Sequence, residues 1–367
     1  MKVKLMNERI QRLRNYMEWE QLDALLVTLP RHVYYLTGYL SDPHERLLAV
    51  VIPRGDEPFL LVPSLDKEAA EAASCIRTIH THSDTDNAYE VLHSLLPGKL
   101  SRLGIEKNHQ TVRQFEILQD ILCAETYVNV ESVLREMRLI KSPEEIVKIK
   151  RAVVMIEEVL RRGLKQVKVG VTETDLVAEL EYQMTKLGAD GPSFASSVLS
   201  GEKAAMPHGN PGQRKIQAGE FLLFDIGVYV EGYASDITRT FAVQSYSKEQ
   251  ELIYQTVLQA NLAGIEASRA GATLASVDLA ARRVIEKAGY GPYFNHRVGH
   301  GLGLDVHEYP SLHAQAEAFL VEGMVFTIEP GIYVPNSHGV RIEDDVYISQ
   351  NGPEVLTSFP KELTVIG

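Results

Sequence analysis

An internal repeat in the last two-thirds of this 367-residue chain restricts its fold more than any other feature. Each copy places a Gly-x-Thr triplet before a predicted amphipathic helix, ends that helix at a glycine and continues into Gly-Pro-x-Phe. The copies start at Gly170 and Gly271, and their Gly-Pro-x-Phe segments occupy residues 191–194 and 291–294. Because chance similarity would not preserve these offsets, we predict a duplicated α-α-β unit whose functional site lies where the two halves meet.

A longer helix precedes each of these helices. Ser142 is a predicted N-cap, with Pro143 at the first helical position and Glu145 as its capping-box partner. Ser247 and Gln250 form the same signature in the second copy. Each half is therefore predicted to contain two helices, Gly-Pro-x-Phe and a β-hairpin.

The predicted hairpin of the first half, residues 221–240, contains Asp225 and Asp236. A two-residue loop at Val230-Glu231 would place the two aspartates directly opposite each other, whereas a loop at Glu231-Gly232 would make them diagonal neighbours on one face. In both registers the carboxylates converge to about 5–8 Å. Since like charges repel, the pair either faces water at a twisted hairpin end or holds a divalent cation.

The second half supplies a matching pair of acids. A strand that starts at Met324 and is closed by a Pro-Gly turn carries Glu329. Its predicted partner, residues 339–347, places Arg341, Glu343 and Asp345 on a common face. Glu329 and Glu343 are therefore predicted to mirror the two aspartates of the first hairpin.

Between the two predicted hairpins, three histidines fall within twelve positions, namely His296, His300 and His307. Glycines flank His300 and allow backbone and ion to approach closely. Four carboxylates and one imidazole suit two divalent ions better than one, and this is hydrolase chemistry. The oxygen-rich set favours Mn²⁺, and the imidazole is also compatible with Co²⁺ or Zn²⁺.

Composition excludes several classes of protein. A net charge of −12 argues against a nucleic-acid partner, because phosphate binding needs a basic surface. Cys75 and Cys123 lack C-x-x-C spacing and are expected to be buried thiols rather than a disulfide or a zinc site, which suits the cytoplasm. The N-terminus lacks the apolar core of a signal peptide, and no stretch approaches the length of a membrane span. We therefore expect a cytoplasmic protein without a membrane partner.

The first third of the chain alternates strands and helices and predicts a smaller three-layer α/β domain with a mixed sheet. Residues 33–39 are interpreted as a short extended run closed by Gly38. We predict this domain at residues 1–135, a linker at 136–141 and the duplicated domain at 142–367. The polar, Pro-containing loop from Ser41 to Arg46 stands out, because such loops are solvated connections in most proteins but also carry function.

Four motifs of the chain together resemble those of the pita-bread metallopeptidases, the family of prolidase, aminopeptidase P and methionine aminopeptidase. The resemblance covers residues 140–367, and Val33-Tyr-Tyr-Leu-Thr-Gly38 with Pro43-His-Glu-Arg46 resembles the creatinase/prolidase N-terminal domain. It implies an α+β pita-bread catalytic domain and a homodimer. The motifs are F-D-I-G…G-Y-A-S-D-I-T-R-T, H-R-V-G-H-G-L-G-L-D-V-H-E, I-E-P-G-I-Y and V-R-I-E-D-D.

The same resemblance implies roles for individual residues. Glu329 would also pass a proton from the attacking water to the leaving amine. His208 and His307 would bind the substrate carbonyl and its oxyanion, and His296 and Arg341 match positions of the proline-specific branch. The five implied metal ligands are Asp225, Asp236, His300, Glu329 and Glu343.

These features favour a dimetal Xaa-Pro dipeptidase that acts on short proline-containing peptides. An aminopeptidase P-like enzyme is the alternative, although that subclass usually has a larger N-terminal domain. A metal-free creatinase-like hydrolase or an inactive binding module would lack the carboxylate ligands that are present here. We further hypothesise that His44 and Arg46, reaching a partner subunit's active site, bind the carboxylate of a dipeptide and exclude longer chains.

Overall fold

The computed structural model describes residues 2–96 and 98–367. The chain forms two compact units, Met1–Arg138 and Leu139–Gly367. We call them the N-terminal unit and the C-terminal unit. No helix in the described part of the chain has both the length and the apolar character needed to cross a bilayer.

The N-terminal unit is built on a six-stranded mixed sheet in the order β4-β3-β2-β1-β5-β6. Strands β1–β2 and β2–β3 pair antiparallel, and the other three pairs are parallel. The strands are β1 Ala24–Val27, β2 Ala49–Pro53, β3 Phe59–Pro63, β4 Ile79–His82, β5 Arg102–Ile105 and β6 Thr126–Asn129, and the helices are α1 Lys2–Glu20, α2 Pro30–Thr37, α3 Lys67–Ala73, α4 Ala88–Ser94, α5 Val112–Leu122 and α6 Glu131–Leu139.

Two sequence predictions about this region were wrong. The run predicted as extended is helix α2, which has Pro30 in its first turn and ends at Gly38 in the left-handed conformation, with φ of 80°. Because every residue from His32 to Thr37 is buried, the apolar run lacks the one-sided pattern by which a surface helix is recognised. The second error is the burial predicted for the two thiols, because Cys75 is only partly buried and Cys123 is exposed. The boundary between the two units, at Arg138 and Leu139, falls within the predicted linker 136–141, the first part of which is helical because α6 ends at Leu139.

The C-terminal unit contains four long helices and most of the strands. Its helices are α7 Pro143–Gly163, α8 Glu173–Leu187, α9 Lys248–Ala267 and α10 Leu274–Lys287. Its strands are β7 Gly191–Pro192, β8 Ser197–Ser200, β9 Phe221–Ile226, β10 Val228–Val230, β11 Tyr233–Ala234, β12 Ile237–Val243, β13 Gly299–Gly301, β14 Glu308–Leu312, β15 Val325–Ile328, β16 Gly331–Val334, β17 His338–Arg341, β18 Asp344–Ser349, β19 Gly352–Val355 and β20 Val365–Ile366.

The predicted duplication is present in the packing of this unit. Helices α7 and α8 share a buried cluster with β8, β9 and β12, in which Ile156 and Leu180 pack with Phe224. Helices α9 and α10 share a second cluster with β15 and β18, in which Val257 and Phe326 are buried. The capping boxes at Ser142 and Ser247 are both formed as the sequence predicts. The two Gly-Pro-x-Phe segments differ, because residues 191–192 form a strand and residues 291–293 a short 3-10 helix.

The first hairpin adopts the register with its loop at Glu231-Gly232. Tyr229 pairs with Ala234, and farther along the hairpin Asp225 pairs with Thr238. Both loop residues have positive φ, 49° and 74°, as in the type I′ turn that matches the twist of a hairpin. Asp225 and Asp236 are therefore diagonal neighbours on one face.

The second hairpin is longer than its sequence suggests. Pro330-Gly331 was predicted to close the first strand, but the chain continues as β16 and turns only at residues 335–337, where Asn336 has a φ of 57°. Ile328 pairs with Asp344 and Gly331 with Arg341, and the same register places Glu329 opposite Glu343. The amide of Glu343 donates to the carbonyl of Thr238 (3.1 Å), so this carboxylate lies where the two halves of the unit meet.

Candidate metal centre

Five side chains from both halves of the C-terminal unit converge on one point. Their ligand atoms form overlapping groups, in each of which all atoms lie within 4.8 Å of one another. The imidazole Nε2 of His300 is 3.8 Å from Asp236 Oδ2 and 3.4 Å from Glu329 Oε1. These five residues are the ones predicted as metal ligands, Asp225, Asp236, His300, Glu329 and Glu343, and one of the groups also includes His307.

Glycines on both sides of His300 allow this convergence. Strand β13 lies between β14 and β15, and a Cβ atom at Gly299 would come within 1.9 Å of the carbonyl oxygen of Thr327. A Cβ atom at Gly301 would come within 2.3 Å of the carbonyl oxygen of Tyr309. Only glycine fits at these positions without displacing backbone, so the Gly-His-Gly sequence is what lets the imidazole reach the carboxylates.

The acids of the cluster are largely buried and lie close enough to repel one another. Burial, followed by the charges of Glu343 and Asp225, raises the pKa of Asp236 well above its ordinary value. Burial and Glu343 do the same to the pKa of Glu329. Burial and Asp225 raise the pKa of Glu343 to about 7. Such a cluster is unfavourable as a set of anions and becomes favourable with compensating cations.

The histidine at the centre is suited to bind a metal. Burial, and next the neighbouring His307, lower the pKa of His300 to about 3, so the ring is neutral at pH 7. Its Nδ1 lies 3.2 Å from the carbonyl oxygen of Gly301, a contact that holds the proton on Nδ1. The lone pair of Nε2 therefore points towards the carboxylates, as a metal ligand requires.

The residues fit a pair of divalent cations. Asp236 Oδ1 is buried and has no hydrogen-bond partner in the structure, although a buried carboxylate oxygen is normally paired. Four carboxylates carry a formal charge of −4, which two divalent ions would neutralise. Oxygen donors with a single imidazole form the ligand set of a hard or borderline cation.

Arg341 and His296 do not lie within the cluster but are connected to it through hydrogen bonds. Arg341 donates to Asp225 Oδ2 (2.5 Å) and to the hydroxyl of Thr238 (3.0 Å), which in turn donates to Glu343 Oε2 (2.6 Å). Arg341 Nη1 also contacts the hydroxyl of Tyr333 (3.0 Å), and this hydroxyl lies 2.9 Å from His296 Nε2. The chain of contacts fixes the orientation of two metal-ligand candidates.

Tyr333 was missed in the sequence, although a signal was present. It lies two residues beyond Gly331, which pairs with Arg341, so the alternation of a strand places it on the same face as Gly331. Burial raises the pKa of Tyr333 to about 12, so its hydroxyl stays protonated. Burial also lowers the pKa of His296 to about 4.

A cavity of about 1110 Å³ opens over the cluster. The imidazole rings of His300 and His307 are 3.8 Å apart, and burial together with Arg297 lowers the pKa of His307. His208 lies on the loop between β8 and β9 and is exposed. Other residues that line the cavity are Phe194, Met206, Asn295, His296 and Arg297.

Arg297 is a second lining residue that the sequence did not single out. Its Nη1 donates to the neutral hydroxyl of Ser311 (3.0 Å) rather than to a carboxylate. Ser311 pairs with His300 across β13 and β14, so the guanidinium is held beside the metal-ligand candidates. The sequence did not predict a role for Arg297, because an arginine next to a histidine motif most often lies on the protein surface.

His44 and Arg46 lie in the N-terminal unit, on a loop as predicted. Arg46 makes two hydrogen bonds to Asp84, of 2.7 and 3.1 Å, and Glu45 is 3.3 Å away. His44 is exposed and lies 3.7 Å from Asp42. Both side chains already have acidic neighbours in their own unit, and a role in binding substrate remains a prediction.

Comparisons with known proteins place the chain in a family. Residues 147–350 match metallopeptidase family M24, and residues 9–140 match the creatinase/prolidase N-terminal domain. The chain is 42% identical over 361 residues to a putative dipeptidase, YkvY, of Bacillus subtilis, covering 98% of this chain and 99% of that protein.

Solved structures show the same fold. The prolidase of Pyrococcus horikoshii OT3 is 35% identical with a TM-score of 0.91, covering 97% of this chain and 99% of that one. The X-Pro aminopeptidase of Thermotoga maritima is 29% identical with a TM-score of 0.87, covering 94% and 98%. The predicted α+β architecture and the metallopeptidase activity are thus confirmed, and the chain belongs to metallopeptidase family M24, with a creatinase/prolidase N-terminal domain.

Proposed function

We propose that the protein is an Xaa-Pro dipeptidase that uses two divalent metal ions. The observation that carries the proposal is the convergence of four carboxylates and one neutral imidazole at the base of a cavity that also contains His208, His307 and Arg297. Cleavage before proline is inferred from the similarity to the prolidase of P. horikoshii.

Asp225, Asp236, His300, Glu329 and Glu343 would hold the ions. Two divalent ions at such a site polarise the scissile carbonyl and lower the pKa of water, which provides a nucleophile at neutral pH. Mn²⁺ is favoured because carboxylates dominate the ligand set, and Co²⁺ or Zn²⁺ are compatible with the imidazole. Arg341 and Thr238 would orient Asp225 and Glu343 through the hydrogen bonds described above.

Glu329 would carry the proton during the reaction. Its side chain is 17% exposed, so one carboxylate faces both the cluster and the cavity. This position would allow it to accept a proton from the attacking water and to deliver it to the leaving imide nitrogen. The two steps together return Glu329 to its starting state.

His307 and His208 would stabilise the oxyanion from the cavity side. His307 lies against His300 with its pKa lowered, so it donates a neutral ring N–H. Each hydrogen-bond donor directed at the negative charge that develops in the transition state raises kcat by about 10²- to 10³-fold. His208 is exposed on its loop and reaches the same cavity.

Arg297 supports a dipeptide as the substrate. Consecutive Cα atoms are about 3.8 Å apart, so the C-terminal carboxylate of a dipeptide lies within about one residue of the scissile carbonyl. A cation that binds it must therefore lie beside the metal ligands, and Arg297 does so, anchored on the residue opposite His300. Guanidinium groups bind carboxylates with two parallel hydrogen bonds.

The test compares Ala-Pro with its amide, Ala-Pro-NH₂, and with Ala-Pro-Ala on protein loaded with Mn²⁺. We expect Ala-Pro to be the preferred substrate, and Arg297→Gln to raise KM for Ala-Pro about tenfold or more while leaving the amide unchanged. Arg297→Lys, which keeps the positive charge, is the matched control and should raise KM for Ala-Pro by a smaller factor than Arg297→Gln. Preferred cleavage of Ala-Pro-Ala by the parent protein would instead support the aminopeptidase P-like alternative.

A further inference from the structure

The loop that carries His208 has its tip in the cavity and its base at the N-terminus of helix α8. It spans residues 201–212 between β8 and β9 and begins with a 3-10 helix, Gly201–Ala205. His208 lies in a tight turn, in which the amide of Gly209 donates to the carbonyl of Met206 (2.9 Å). Within the described residues, the ring of His208 has no hydrogen-bond partner, so its position depends on the backbone of the loop.

A single buried carboxylate closes the base of this loop. Glu173 lies in the first turn of α8 and its side chain is 0% exposed. One oxygen accepts from the amide and the hydroxyl of Ser200, at 2.8 and 3.0 Å. The other accepts from the amide of Gly212 (2.9 Å) and pairs with the ammonium of Lys203. Glu173 therefore joins the start of the loop to its end.

The backbone reinforces this junction. The amide of Thr174 donates to the carbonyl of Gly212, and the amide of Glu173 to the carbonyl of Arg214, both at 3.2 Å. Arg214 in turn pairs with Glu202 (2.8 Å) and Glu220 (2.5 Å) at the outer side of the loop. The helix N-terminus also favours a carboxylate in its first turn. Removal of the Glu173 charge would thus free the loop at the point where its two ends meet.

We propose that Glu173 is a positioning residue for His208, and so sets the oxyanion contact without touching the substrate. The inference rests on the proposed role of His208 in the reaction. Glu173 lies outside the metal cluster and outside the residues that line the cavity. Its loss should therefore lower kcat and leave metal binding and substrate affinity in place.

The decisive experiment is a double-mutant cycle with Glu173→Gln and His208→Ala on Mn²⁺-loaded protein, with Ala-Pro as substrate. We expect Glu173→Gln to lower kcat about 10- to 100-fold, because a small displacement of a catalytic group has that effect. KM and metal content should stay within about twofold of the parent, and the same change in the His208→Ala background should lower kcat less than about twofold. Glu202→Gln, which removes the exposed partner of Arg214 on the same loop, is the matched control and should keep the parent kcat.

A second readout follows the loop itself. Lys203 is paired with Glu173, so trypsin should cleave native Glu173→Gln after Lys203 at least tenfold faster than native parent protein. Because loss of its partner leaves the partly buried Lys203 ammonium unpaired and can destabilise the fold, the pair Glu173→Gln with Lys203→Met is measured as well, and it should show the same loss of kcat at a parental melting temperature.

The possible results separate the inference from the proposed function. Equal loss of kcat in both backgrounds, or a parental kcat in Glu173→Gln, would overturn the positioning role while the function of His208 stands. A parental kcat in His208→Ala would refute the role of His208 and, with it, the inference. A loss of bound metal in Glu173→Gln would also overturn it, because the defect would then lie in the metal centre.

Discussion

Replacing the metal-ligand candidate Glu343 by glutamine should stabilise the metal-free protein at alkaline pH. Burial and Asp225 raise the pKa of Glu343 to about 7, from an ordinary value of 4.5 that applies to the unfolded chain. Between these values the folded state binds more protons than the unfolded state, so the free energy of unfolding falls as the pH rises. Above pH 7 the buried charge is fully present and the stability that depended on the proton is lost.

The size of the effect follows from the two pKa values. Between pH 5.5 and pH 8, ionisation of Glu343 should lower the free energy of unfolding of the metal-free protein by about 2 kcal/mol relative to Glu343→Gln. For a unit of this size that corresponds to about 4–8 °C in melting temperature. The lowered pKa values of His296 and His300 act in the opposite direction, but both histidines are present in parent and variant and cancel in the difference.

The assay is thermal unfolding of EDTA-treated parent and variant at pH 5.5 and pH 8. With saturating Mn²⁺ the order should reverse, because the parent binds the ions and the variant has lost a ligand. Glu317→Gln, on the exposed surface, is the control and should show the same difference from the parent at both pH values. A parent–Glu343→Gln difference in melting temperature that is equal at pH 5.5 and pH 8 without metal would refute the account of a buried, mutually repelling carboxylate cluster.

Three further changes probe other parts of the site. Asp236→Asn removes one of the charges that compensate the cations, so metal content by elemental analysis and turnover should both collapse; a fully loaded and active variant would contradict the two-metal assignment. His208→Ala should keep its metal and lose about a hundredfold in kcat, and equal turnover would exclude it from the reaction. The double change His44→Ala with Arg46→Ala should raise KM for Ala-Pro and spare Ala-Pro-Ala, whereas an equal response of both substrates, or a fully active monomer by light scattering, would remove the role of this loop.

The duplicated architecture could be predicted because its signals are local. Capping boxes at Ser142 and Ser247 and the recurring glycines depend on neighbouring residues, and the structure contains them. Helix α2 was missed because its helix signals, Pro30 and Gly38, enclose a run that is buried on all sides. The register of the first hairpin stayed open for a related reason, since both loops keep the apolar residues in the core. The structure has its loop at Glu231-Gly232, because a type I′ turn needs positive φ at both loop positions and glycine adopts positive φ readily.

The five ligand candidates could be named from motifs, but their surroundings could not. Tyr333 connects His296 to Arg341 through contacts that depend on how two strands pair. Glu173 is an acidic residue in a first helical turn, which is an ordinary surface position, and only the tertiary fold brings Ser200 and Gly212 to its carboxylate. Contacts between residues that are distant in the chain depend on tertiary packing, so they could not be predicted from the local sequence.

The two-metal mechanism is tested by a titration of metal-free protein with Mn²⁺, in which bound metal and hydrolysis of Ala-Pro are measured on the same samples. We expect activity to rise with occupancy and to reach its maximum at two ions per chain, whereas Asp236→Asn should reach neither this occupancy nor this activity. Full hydrolysis of Ala-Pro by protein shown to contain no metal, or saturation of binding without any hydrolysis of Xaa-Pro dipeptides, would contradict it.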